Sequence, residues 1–117
     1  MILLTMIFLH IVDDYYLQGI LAQMKQKKFW KENAPDEKYK YDYIWALIMH
    51  AFSWTFMVLL PIIFTTSITP LFYLVFIENI IFHAIIDDLK ANRHKINLWQ
   101  DQLFHLLQIF MMFLIFA

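Results

Sequence analysis

Four apolar stretches, at about residues 2–23, 43–65, 70–91 and 98–117, occupy most of this chain. Each is close to the ~20 residues that an α-helix needs to cross the hydrocarbon core of a bilayer. Apolar residues make up 62% of the sequence and the mean hydropathy is +0.56. A chain this apolar has too little polar surface to clothe a water-soluble domain. The expected fold is therefore all-α: a single domain over residues 1–117, built as an integral membrane four-helix bundle. The N-terminal stretch is apolar from Met1, with no basic lead-in and no small-residue cleavage site, and is read as a retained helix.

The punctuation between the stretches agrees with that reading. The polar connection Met24–Asp42 carries Trp30, Tyr39 and Tyr41, aromatics suited to the headgroup boundary. Pro61 is expected to kink or end the second helix. Pro70 suits the first position of the third, and Asn97 is a good N-cap for the fourth. No cysteine is present, which excludes disulfides and thiolate metal sites, and a net charge of −1 points to no nucleic-acid partner.

All nine basic residues fall in two places: Lys25, Lys27, Lys28, Lys31, Lys38 and Lys40 in the first connection, and Lys90, Arg93 and Lys95 around the third. The positive-inside tendency then puts both basic loops in the cytoplasm and both termini outside.

Within this frame the polar residues form a pattern. Charged groups in a membrane cost roughly 2.5–3.5 kcal/mol each on insertion scales, so they are functional candidates by default. Helix 1 carries His10 and Asp14, helix 3 His83 and Asp87, and helix 4 Asp101 and His105, while helix 2 adds His50. Each His/Asp pair is spaced i, i+4 and so shares one helical face. Helices 1 and 3 run toward the cytoplasm and read His-x-x-x-Asp; helix 4 returns and reads Asp-x-x-x-His. At the rise of an α-helix this reversal levels the histidines roughly 12–18 Å from the cytoplasmic helix ends, with the aspartates roughly 6–12 Å down.

One such pair alone is ordinarily a buried hydrogen bond. Three pairs and a further histidine at one level point to metal. Four imidazoles and three carboxylates exceed what one tetrahedral ion takes and suit two divalent ions sharing a bridge. Nitrogen and oxygen donors without sulfur fit zinc, manganese or iron. The expected metal ligands are His10, Asp14, His50, His83, Asp87, Asp101 and His105, with Asp14, Asp87 or Asp101 as bridge or general base. Asp13, Gln18, Asn79 and Gln108 are placed to support them. Lys90 returns to the His83 face at the cytoplasmic mouth, where it can pair with a carboxylate or steady a substrate anion. Asp88 is expected to pair with the basic loop, Glu78 has no evident partner, and His94 is expected to be solvated.

The blocks His10-Ile-Val-Asp-Asp-Tyr-Tyr-Leu-Gln18, His50-Ala-Phe-Ser-Trp54, His83-Ala-Ile-Ile-Asp-Asp-Leu-Lys90 and Asp101-Gln-Leu-Phe-His105 resemble, in the same order, a family of small bacterial and phage-encoded membrane proteins. That family is known only as domain of unknown function three-three-zero-seven. Its first block usually reads His-x-x-x-Asp-Phe-x-x-Gln; Tyr15 stands here in place of the Phe, and Asp13 where a small residue is common. The resemblance implies a bacterial inner-membrane location. The motif style is also similar to that of membrane-bound metal-dependent hydrolases, an analogy of fold and pattern.

Three functions are compatible with this pattern. The favoured one is a metal-dependent hydrolase acting on an ester or phosphoester of a lipid or other amphiphile at the cytoplasmic leaflet. A transporter of metal ions or protons, and a non-enzymatic membrane factor with a structural metal, are the alternatives. Membrane lipid is the expected partner, with a homo-oligomer allowed.

Overall fold

The computed structural model describes residues 1–116; Ala117, the expected end of the fourth segment, lies outside the described residues. The chain is all-helical, with no strand among the described residues. Helix α1 spans Ile2–Val12 and continues as one wide π-helical turn, Asp13–Leu17. The short α2 covers Leu21–Met24, α3 covers Lys27–Asn33, and a 3-10 turn covers Glu37–Tyr39. The long helices follow: α4 over Asp42–Thr65, α5 over Pro70–Ala91 and α6 over Leu98–Phe116.

Among the described residues, three helical stretches are long and apolar enough to cross a membrane: Glu37–Thr65, Pro70–Ala91 and Leu98–Phe116. The first segment, expected as one helix over 2–23, is interrupted. Its backbone widens into the π turn and then breaks at Gly19, which takes φ +55. That left-handed conformation is open to glycine at little cost and strained for other residues. Gly19→Ala is expected to destabilise the fold by about 1–2 kcal/mol, read from thermal unfolding in micelles, because the strain comes from the backbone itself. An unchanged melting curve would mean the break does not need glycine.

The other boundaries follow their sequence signals, and of the two effects expected of Pro61 the helix end does not occur there. Asn97 caps α6 by accepting the backbone N–H of Gln100 at 2.9 Å, and the Gln100 side chain accepts the Asn97 N–H at 3.0 Å. Pro70 opens α5. Pro61, however, does not end α4, which runs on to Thr65. The Thr65 and Thr66 hydroxyls donate to the Pro61 and Ile62 carbonyls at 2.7 and 2.9 Å, satisfying backbone acceptors in the last turn.

Helix α4 packs against α1, α5 and α6, and α6 also meets α1 and α5. The interior divides in two along its length. One half is apolar and closed: Met6, Val58, Leu59, Ile62, Ile109 and Met112 have no exposed surface, and Phe72 and Val75 join them. The other half is polar and contains every buried histidine. Trp54, itself fully buried, sits at the seam. Leu4, Phe8, Phe56, Ile77, Phe110 and Leu114 are among many large apolar side chains turned outward. So much exposed apolar surface suits lipid rather than water.

A buried histidine and aspartate centre

Each side chain of the polar half is delivered by a different local device. The i, i+4 spacing stacks His83 over Asp87 on α5, with Nε2 3.4 Å from Asp87 Oδ2. On α6 it sets His105 Nε2 3.3 Å from Asp101 Oδ1. On the first segment the π turn carries both neighbouring acids, Asp13 and Asp14, to the interior. An ordinary α-helix would splay adjacent residues by about 100°; wide turns of this kind recur at functional sites.

Asp87 is the hub. Its Oδ2 accepts from the Lys25 ammonium at 2.8 Å and lies 3.4 Å from Nε2 of both His50 and His83, while Oδ1 is 3.1 Å from His105 Nε2. Beside it, His50 Nε2 comes within 3.1 Å of Asp14 Oδ1. The rings crowd together: His83 stacks on His105 at a centroid distance of 4.0 Å and on Trp54 at 4.3 Å, and His50 lies 5.0 Å from His83. Two triads bring their donor atoms close enough to hold a metal ion, Asp14–His50–His83 and His83–Asp87–His105.

Hydrogen-bond direction settles two of the imidazoles. The Gln108 amide donates to Asn79 Oδ1 at 3.0 Å, so its Oε1 faces His105 Nδ1 at 3.1 Å, and that nitrogen must carry the proton. His105 therefore turns Nε2 toward two carboxylates. A bare lone pair there would be repelled by both; a proton or a cation has to lie between. His10 is settled differently. Trp54 Nε1 donates to its Nδ1 at 2.7 Å, and its Nε2 then donates to Gln102 Oε1 at 2.9 Å. Both His10 nitrogens are occupied; of the seven expected ligands, His10 and Asp101 stand outside both triads.

Unmet valences mark the centre. Both nitrogens of His50 and of His83, Asp14 Oδ1 and Asp101 Oδ1 are buried without a hydrogen-bond partner. His50 and His83 are at most 1% exposed. Each such orphan costs about 1–3 kcal/mol. The short contacts among these atoms are close but not aligned as hydrogen bonds. An ion among them would accept several orphans at once, and the donor chemistry fits one.

The same groups also pair with fixed charges, and here sequence reasoning missed several residues. Lys25, expected in the solvated basic loop, is 6% exposed and forms the tightest ion pair of the centre. Lys90 pairs with a carboxylate, as one of its two expected roles has it: Asp101, at 3.6 Å. Gln102 ties the cluster together, donating to Asp14 Oδ2 at 3.3 Å and Asp101 Oδ2 at 3.1 Å. Asp13 accepts the Ser53 hydroxyl at 2.6 Å and stands behind His50 Nδ1 at 3.6 Å, as an orienting carboxylate does. Asn92 fastens the first connection to the end of α5: it accepts the Lys27 N–H at 2.7 Å and donates to the Lys25 carbonyl at 2.9 Å. Gln18 binds only the Asp14 carbonyl, at 3.0 Å. Asp88 meets Arg93 at 3.2 Å, and Glu78 and His94 are exposed.

No family model, curated protein or solved structure matches the chain. The chemistry of the site therefore carries the functional reading.

Proposed function

We propose that this protein is a membrane-embedded, metal-dependent hydrolase of an ester or phosphoester in a lipid or other amphiphile. In this reading the interrupted first segment crosses the bilayer with α4, α5 and α6 as a four-helix bundle. The basic loops face the cytoplasm, the termini lie outside, and the centre opens toward the inner leaflet. The π turn keeps a helical backbone while it brings Asp13 and Asp14 to the interior; Tyr15, Tyr16 and Leu17 face outward, where aromatic and apolar side chains suit a membrane boundary. The resemblance to the bacterial and phage family belongs to the same proposal.

The observation that carries the reading is the convergence of unpartnered donor atoms from separate helices: Asp14 Oδ1, His50 Nε2, His83 Nε2 and Asp101 Oδ1. Asp14, His50, His83, Asp87, Asp101 and His105 would hold one or two divalent ions of zinc, manganese or iron. Bound there, such ions lower the pKa of a coordinated water and polarise an ester or phosphoester oxygen. The protein's own groups do the rest. Gln108 holds His105 in one tautomer, Asp13 backs His50, and Gln102 spaces Asp14 from Asp101. The carboxylates can take a proton from attacking water, and Lys90, partly exposed at the mouth, faces substrate charge. Transport is disfavoured by the closed apolar half, where Met6, Leu59, Ile62 and Met112 leave no polar route.

The test is purification in micelles, elemental analysis, and assay against carboxylester, phosphomonoester and phosphodiester lipids with added zinc, manganese or iron. The expected result is at least one metal ion per chain and metal-dependent cleavage of one substrate class, lost on chelation. Stoichiometric metal without any cleavage would leave a structural metal and sink the hydrolase reading.

A further inference from the structure

A small cavity of ≈ 50 Å³ opens over the centre, lined by Asp14, Asp87, Asp101, Lys25 and Lys90 among others. That is room for a water or one compact polar group. Charge decides which group. Around the cavity and the imidazoles lie four carboxylates, Asp13, Asp14, Asp87 and Asp101, and two ammoniums, Lys25 and Lys90. With neutral imidazoles the set carries two net negative charges. One divalent ion neutralises it. A second ion would leave two uncompensated positive charges in a buried site, which is costly.

Coordination falls short at the same point. The two triads share His83, so two ions placed side by side would have five residues between them, fewer than three separate donors each. Asp101 Oδ1, 1% exposed and without a hydrogen-bond partner, is the remaining acidic oxygen aimed into the space. Two tetrahedral ions ask for about eight donor atoms. Three imidazoles and three carboxylates, with one carboxylate bridging, supply fewer.

One ligand corrects both deficits: a compact oxyanion with two negative charges. A carboxylic ester or an amide offers an oxygen but no charge. We infer that the second cation enters only together with a phosphoryl dianion, so that the substrate class is a phosphate monoester whose oxyanion is met by Lys25 and Lys90. Lys25 is suited to this because Asp87, its present partner, gives up charge on ligating an ion, which leaves a buried ammonium needing an anion. The inference rests on the metal reading above.

The test uses the purified full chain, stripped and dialysed against Mn²⁺ in micelles, with and without inorganic phosphate. A parallel arm has phosphatidic acid in the micelle instead. The readouts are Mn²⁺ per chain and the exchange-coupled resonance spectrum of a manganese pair. The expected result is one Mn²⁺ per chain without phosphoryl ligand and two, coupled, with it. Linkage then requires Mn²⁺ to tighten phosphate by the same factor, about tenfold or more. Phosphatidic acid acting at lower concentration than free phosphate would place the group on a lipid; the reverse would place it on a water-soluble ester. Lys25→Met removes one of the two ammoniums that meet the oxyanion and should raise the phosphate concentration needed for the second Mn²⁺ by about tenfold or more, the worth of a charge-assisted hydrogen bond. The same Mn²⁺ count with and without phosphoryl ligand in the unaltered chain overturns the inference, whatever Lys25→Met does. No Mn²⁺ under any condition overturns the metal reading beneath it.

Discussion

Asp87→Asn is expected to destabilise the metal-free protein by about 3–5 kcal/mol, the cost of stranding a buried charge. The Asp87 carboxylate neutralises Lys25 at 2.8 Å and lies within 3.4 Å of the Nε2 atoms of His50, His83 and His105. Asparagine keeps the shape and loses the charge, so an ammonium only 6% exposed is left without a counter-ion. Lys25→Met on the wild-type background leaves the carboxylate similarly stranded and should cost a comparable amount. The double variant removes both charges and should recover most of the loss, since contacting residues couple strongly in a double-mutant cycle. The measurement is denaturant or thermal unfolding in micelles with chelator present. A single variant within about 0.5 kcal/mol of wild type, the range of ordinary surface changes, would mean the pair is not a buried counter-ion at all.

What the sequence made legible is what local periodicity controls. The pairs His83/Asp87 and Asp101/His105 lie on single helices, and the reversed order of their letters on opposed helices is enough to level them. The structure places those pairs within 3.4 and 3.3 Å. The cap at Asn97 and the start at Pro70 were legible for the same reason. Lys25 was not, because its burial depends on the backbone departing from a regular helix. The π turn at Asp13–Leu17 and the break at Gly19 turn the chain so that Lys25 folds back over Asp87, and Asn92 clasps it there. Counting basic residues treats every lysine as loop charge and cannot see this. One signal was available: Gly19 is the one glycine of the chain, and it stands directly after Gln18, five residues beyond the second of two adjacent acids. Gln102 escaped because α-helical geometry turns the residue after Asp101 about 100° away; its long side chain reaches back between Asp14 and Asp101. His10 misled in the opposite sense. Its spacing to Asp14 is that of a ligand pair, and only the position of Trp54 reveals that its lone pair is already taken.

That difference between histidines gives the second large effect. His83→Ala is expected to lower affinity for the first divalent ion by well over about 100-fold, whereas His10→Ala should cost about 10–100-fold, the usual range for a residue acting through the ligands. His83 belongs to both metal-capable triads, and both its ring nitrogens are unpartnered. Removing it leaves each triad with two donors, Asp14 with His50 and Asp87 with His105. His10 hydrogen-bonds to Gln102, whose amide orients Asp14 and Asp101, and to Trp54, and its Nδ1 lies 3.6 Å from Asp14. Without the imidazole those carboxylates loosen, but the donors remain. Titration calorimetry with Mn²⁺ or Zn²⁺ on both variants separates the cases, with unfolding curves run beside it. His83 also stacks between Trp54 and His105, so His83→Phe supplies a second comparison that keeps the packing and removes the nitrogens. Equal losses from His10→Ala and His83→Phe would make the two imidazoles equivalent ligands and return His10 to the metal set. An unaltered affinity in His83→Phe would show that any ion bound by this protein lies elsewhere.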